Sequence, residues 1–140
     1  LAFKYLFKEI HKNSNYPNSL FNFYQKAFKP YSNDKKDTFE IEKVYHNALI
    51  VELIHQGLSI ESQKMLPVYY RNELVGEYFA DILVENEVIV ELKTVKEIEL
   101  IHFAQLLNYL KLSKKRIGLL VNFNALTLVD KESLVRIING

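Results

Sequence analysis

Glu87-Val88-Ile89-Val90-Glu91-Leu92-Lys93 reads as a β-strand with charges set into an apolar run. Side chains alternate along a strand, so Ile89, Glu91 and Lys93 share one face and Val88, Val90 and Leu92 take the other. Apolar residues on both faces mark a central strand covered from both sides. A carboxylate and an ammonium in such a place each cost several kcal/mol unless something compensates them. A bound divalent cation would compensate the carboxylate.

The preceding strand, about Gly76–Val84, carries Asp81 among apolar neighbours in Phe79-Ala80-Asp81-Ile82-Leu83-Val84. Glu85 and Asn86 form the short polar connection that a hairpin needs. Paired strands lie about 5 Å apart, so Asp81 and Glu91 can converge on one Mg²⁺, a hard cation that takes oxygen ligands and keeps several waters. Mn²⁺ is expected to substitute for it. Lys93 can hold an attacking water or stabilise charge developing on a phosphoryl group. The competing reading of the same residues is a cross-strand salt bridge at a sheet edge.

Further out, the apolar spacing predicts a helix over about Glu40–Gln56, with Ile41, Val44, Tyr45, Ala48, Leu49 and Leu53 as its stripe and Gly57 as its stop. A first strand is expected at about Gln63–Tyr70, separated from the second by Arg71, Asn72 and Glu73. A second helix spans about Ile98–Leu112, with Ile98, Ile101, Leu106 and Leu110 on its buried side. Ile117–Phe123 reads as a buried strand and Leu134–Ile138 as a last one. Upstream, Leu1–Lys12 and Leu20–Phe28 have helical spacing, and Lys29–Thr38 is a polar break. The core order is therefore helix, three strands, helix, strand, which predicts a mixed α/β (α+β) domain with a central sheet flanked by helices.

The 140 residues suffice for one domain with one core. Without cysteine there are no disulfides, thiolate metal sites or cysteine nucleophiles. The lack of cysteine also fits a reducing compartment, and the expected location is the cytoplasm. No apolar run reaches bilayer-spanning length, so no membrane partner is expected. Leu1–Phe7, interrupted by Lys4, is a poor signal-peptide core. Net charge is only +1, but residues 73–99 sum to −6 between flanking regions of +3 (residues 1–50) and +4 (residues 100–140). That pattern suits a cation site between phosphate-binding surfaces, and equally a solvated hairpin between two basic helices.

Asp81…Glu91-Leu92-Lys93 resembles the PD-(D/E)XK nuclease signature. Its surroundings resemble the GxxExxY branch of that superfamily: Glu42-Lys43-Val44-Tyr45-His46-Asn47-Ala48-Leu49, Gly76 to Asp81, Val88 to Lys93, His102 to Leu110 and Gly118 to Phe123, in the family's order. The resemblance implies a restriction-endonuclease-like core over residues 39–140 behind an N-terminal helical extension, residues 1–38. It implies a metal-dependent nuclease acting on nucleic acid, DNA before RNA, and is compatible with a homodimer. It assigns the metal to Asp81, Glu91 and Glu42, the last through metal-bound water, with Lys93 as the catalytic lysine and Gln105 facing the site. Phe39 stands where the name motif has glycine, and Phe79 where relatives often carry a basic residue. Both departures suit an alternative in which the fold is kept as a non-catalytic module that binds nucleic acid or protein.

Other residues have plainer readings beside functional ones. Lys111, Lys114, Lys115 and Arg116 are weak candidates for phosphate contacts, or charges that complement a helix C-terminus. His102 is a candidate proton carrier, or more simply a satisfied, partly buried histidine. His11, His46 and His55 share no metal spacing and receive no role, and Tyr45 and Tyr109 read as packing residues.

Overall fold

The computed structural model describes residues 35–122 and 134–140, with side chains over residues 42–122 and 135–140. The helices expected within residues 1–28 lie outside the described residues, as does most of the polar break after them.

Helix α1 is described over Lys35–His55, at least five residues further toward the N-terminus than its apolar stripe suggests. It ends where the sequence said. Gly57 adopts φ +84°, its N–H bonds the Ile54 carbonyl, and the Leu58 N–H reaches back to Leu53. This paired closure uses glycine's access to positive φ.

Strands β1, Ile60–Tyr70, and β2, Glu73–Val84, form a long antiparallel hairpin. Strand β3, Val88–Lys93, pairs antiparallel with β2, then parallel with β4, Ile117–Asn122, which β5, Leu134–Ile138, borders antiparallel. Both hairpin turns have two consecutive residues at positive φ, Arg71-Asn72 and Glu85-Asn86. Those dihedrals match the right-handed twist of the flanking strands, so pairing resumes at once, and β2 begins at Glu73 rather than Gly76. The spatial order β1-β2-β3-β4-β5 makes β3 central and β1 an edge. An edge strand tolerates Pro67 because a missing N–H disrupts no ladder on its open side. Helix α2, Leu100–Ser113, carries the chain between the parallel strands β3 and β4.

Core packs on both faces of the sheet. On one face Tyr45, Leu49 and Leu53 of α1 meet Ile82, Val90, Leu92 and Val121. On the other, Leu106, Tyr109 and Leu110 of α2 meet Leu83, Ile89 and Leu120. Two members of the expected stripes fall outside: Val44 is 42% exposed and Ile101 is 69% exposed. The contacting side of each helix is narrower than its apolar content. On α1 the face toward the sheet instead carries Glu42, Tyr45, His46, Leu49, Glu52 and Leu53, so polar and apolar groups share it. Among the described residues no helix is long and apolar enough to cross a membrane.

Candidate active site

The β2–β3 ladder runs from Val84↔Val88 to Ile82↔Val90 and stops there. Side chains make the next connections. The Asp81 N–H donates to Glu91 Oε1 at 2.9 Å, and the Leu92 N–H donates to Asp81 Oδ2 at 2.8 Å. Each carboxylate thus reaches across to the other strand's backbone. The alternation of faces also breaks here: Ala80 and Leu83, an odd spacing apart, lie in the same core cluster. The two acids expected to converge therefore do so, at the point where the hairpin diverges from the sheet.

This arrangement is electrostatically tense. Glu91 is 3% exposed. Burial first, and then the adjacent Asp81 carboxylate, push its carboxyl well above the ordinary value of 4.5, although the Asp81 N–H and the Lys93 charge oppose the shift. Each acid spends one oxygen on a backbone N–H, leaving Asp81 Oδ1 and Glu91 Oε2 outside those bonds. Two adjacent hard oxygen donors that repel one another fit a divalent cation. Among the described residues no group of three or more His, Cys, Asp or Glu is arranged to hold a metal, and Glu42 is related to the pair through the Asp81 charge.

Lys93, half-buried, directs Nζ to Gln105 Oε1 at 3.2 Å, while Gln105 Nε2 donates to the Tyr109 hydroxyl at 3.1 Å. Gln105 and Tyr109 sit one turn apart on α2 and form a relay that orients the amide oxygen toward the lysine. Among the described residues Lys93 forms no ion pair within 4.0 Å. The ammonium is held by a neutral group, which argues against the cross-strand salt bridge.

Glu42, on α1, accepts a hydrogen bond from Thr94 Oγ1 at 3.4 Å. Burial raises its pKa from 4.5, the Lys93 charge opposes that rise, and the Asp81 charge adds to it. All five expected site residues, Glu42, Asp81, Glu91, Lys93 and Gln105, are therefore linked by hydrogen bonds or by charge. A cleft of ≈ 500 Å³ opens beside Asp81, lined among others by Glu42, Lys43, His46, Gln63 and Leu92.

Lys111, in the last turn of α2, and Lys114, Lys115 and Arg116 beyond it are not part of this group. Parallel pairing sets Ile117 beside Val88 and Asn122 beside Lys93, so residues 111–116 lie at the opposite end of β3 from the site. Lys115 Nζ donates to Asn86 Oδ1 in the β2–β3 turn at 3.0 Å. His102 takes the plainer of its two readings: its Nδ1 accepts from the Glu99 N–H at 2.9 Å at the start of α2. Burial and the nearby Lys93 charge lower its pKa from 6.5, consistent with that accepting nitrogen.

Sequence reasoning missed three participants. His46 lies against the Asp81 carbonyl. Thr94 bonds Glu42. Asn122, 2% exposed, takes the Val95 N–H on Oδ1 at 3.1 Å and donates Nδ2 to the Val95 carbonyl at 2.8 Å, fixing the chain as it leaves β3. A buried amide closing an apolar strand was the available signal for Asn122, and nothing in the spacing marks His46.

A family model described as the PD-(D/E)XK nuclease superfamily matches residues 33–137. No curated protein matches the chain. Among solved structures it is similar to one titled "Crystal structure of SSO0001", with a TM-score of 0.57 and 18% identity, covering 99% of this chain. The chain spans 62% of the length of that structure, and at this identity the likeness is one of fold.

Proposed function

The chain belongs to the PD-(D/E)XK nuclease superfamily and has a restriction-endonuclease-like fold, and from that premise we propose that it is a Mg²⁺-dependent nuclease hydrolysing phosphodiester bonds of DNA. The observation that carries this reading is the Asp81–Glu91 pair, two carboxylates packed together where β2 and the central strand part, beside an ammonium that among the described residues has no carboxylate partner within 4.0 Å.

Asp81 and Glu91 would hold the metal, which when bound polarises phosphoryl oxygens and lowers the pKa of a water. Lys93 Nζ donates hydrogen bonds to the attacking water and to the charge developing on phosphorus, where a preoriented ammonium is most effective. Gln105 keeps that ammonium in place, because Tyr109 fixes which end of the amide faces it. Glu42, with its raised pKa and its position near Lys93, is the proton acceptor for the attacking water.

The test is single-turnover cleavage of labelled DNA and RNA with Mg²⁺, using the full chain. The expected result is DNA cleavage that EDTA abolishes and that Lys93→Ala slows by about 10²–10³-fold while the circular dichroism stays unchanged. Full activity in Lys93→Ala contradicts the assignment. A second reading, a binding module without turnover, draws support from Phe79, an exposed aromatic where the family resemblance leads one to expect a basic residue. Tight DNA binding with no cleavage of either substrate selects it.

A further inference from the structure

Asp81 sits where β2 parts from β3, so its backbone cannot rely on the next rung of that ladder. Its N–H is held by Glu91 Oε1 at 2.9 Å. Its carbonyl oxygen lies 3.2 Å from His46 Nε2, a contact between residues 35 apart in the chain. A carbonyl only accepts, so Nε2 carries the proton and donates. His46 Nδ1 lies 3.3 Å from Asn47 Oδ1. A flip of that amide exchanges its oxygen and nitrogen, and Asn47 then donates to Nδ1 while Nε2 donates to Asp81.

The β1 side offers Asp81 no regular partner either. The register brackets the position with Ser62↔Ile82 and Lys64↔Ala80, and between them Gln63 adopts φ +51°. An aspartate has a short side chain, so its carboxylate goes where its backbone points. At an irregular strand position, that direction depends on whatever holds the peptide groups on either side.

We infer that His46 is a positioning residue: its Nε2–H, donated to the Asp81 carbonyl, fixes the backbone where β2 diverges and so sets the Asp81 carboxylate against Glu91 for cation binding. The inference rests on the metal reading of that pair. In this role His46 acts through Asp81 and not as a ligand of the cation. Metal centres depend on such outer contacts to orient their ligands, and losing one typically weakens metal binding severalfold or more.

The experiment compares wild type, His46→Leu and His46→Gln in the full chain. Free Mn²⁺ is followed by its electron paramagnetic resonance signal, with no nucleic acid present. Leucine removes the donor, whereas the glutamine amide can restore it. His46→Leu is expected to weaken Mn²⁺ binding by about tenfold or more, and His46→Gln to recover most of that loss. A purely structural role would lower the melting temperature and leave Mn²⁺ affinity unchanged.

If wild type binds Mn²⁺ and His46→Leu binds it equally well, the inference falls and the metal reading stands. It also falls if His46→Gln is as weak as His46→Leu. If folded wild type binds no Mn²⁺, the metal reading fails and takes the inference with it. Nitrogen-15 NMR of the wild-type imidazole checks the contact without any variant: a proton on Nε2 is expected, and protonation at Nδ1 alone overturns the proposal.

Discussion

Glu91 keeps a carboxyl group almost out of water and next to a second acid, and that has a thermodynamic consequence. Its folded pKa is raised above the unfolded value, so between the two the folded chain binds more protons than the unfolded one. Its contribution to stability is thus greatest below the ordinary value of 4.5 and declines as pH rises through the folded pKa. Glu91→Gln keeps an oxygen to accept the Asp81 N–H and removes the charge. In metal-free buffer, its melting temperature relative to wild type should increase as pH is raised from 4.5 toward neutrality. A difference that stays constant over that range would contradict the burial account. Mn²⁺ binding to wild type should also release protons, detectable as a dependence of the calorimetric enthalpy on buffer ionisation, because the ligand must be ionised. At this scale the sequence was informative wherever a charge interrupted an apolar strand. Asp81, Glu91 and Lys93 stood out because their surroundings make ionised groups costly. Glu42 and Gln105 looked like ordinary helical surface residues, and only the family resemblance singled them out. His46 was not legible, since its partner is a backbone carbonyl on an element far away in sequence.

Among the elements, α2 and β4 are pressed together at one glycine. A β-carbon added to Gly118 would lie 2.9 Å from Leu106 Cδ1, and Leu106 is fully buried, so neither side has room to yield. Gly118→Ala should destabilise the fold by about 1–3 kcal/mol in urea unfolding, and a neutral effect would mean that α2 can slide. The Asn122 amide is the matching polar contact, tying the exit of β3 to the end of β4. Asn122→Leu removes both hydrogen bonds to Val95 and should cost about 1–3 kcal/mol. It should also reduce turnover, because Lys93 and Thr94 precede the loosened segment. Element types and order were readable because period-two and helical spacing differ clearly in this chain. The boundaries were less so. The turns Arg71-Asn72 and Glu85-Asn86 use positive φ without glycine, which hides how tight they are and how far the strands extend. On the helices, Val44 and Ile101 show that apolar spacing marks a wider arc than the sheet can cover.

Across the molecule, the site and the basic cluster occupy opposite ends of β3. Five residues of strand separate Val88 from Lys93, about 16 Å at the usual rise. Lys114, Lys115 and Arg116 are therefore too far away to take part in the chemistry, and Lys111, in the last turn of α2 six residues beyond Gln105, is about 9 Å further along that helix; any contribution comes through binding a neighbouring stretch of backbone. Replacing all four with Gln should leave the single-turnover rate at saturating DNA within about twofold, with any effect confined to affinity and its salt dependence. A large loss of rate with the fold intact would show that the cluster reaches the reacting phosphate. Sequence order could not place these groups, because the cluster spans the end of the helix that bears Gln105. The parallel crossover returns the chain to the far end of the sheet before β4 begins.

The most direct test of the central claim is a calorimetric titration of Mn²⁺ into the wild-type chain and into Asp81→Asn. The account predicts saturable binding to wild type and its loss in the variant, with both proteins folded. Absence of binding to folded wild type, or equal binding by Asp81→Asn, would contradict a metal centre built on Asp81 and Glu91.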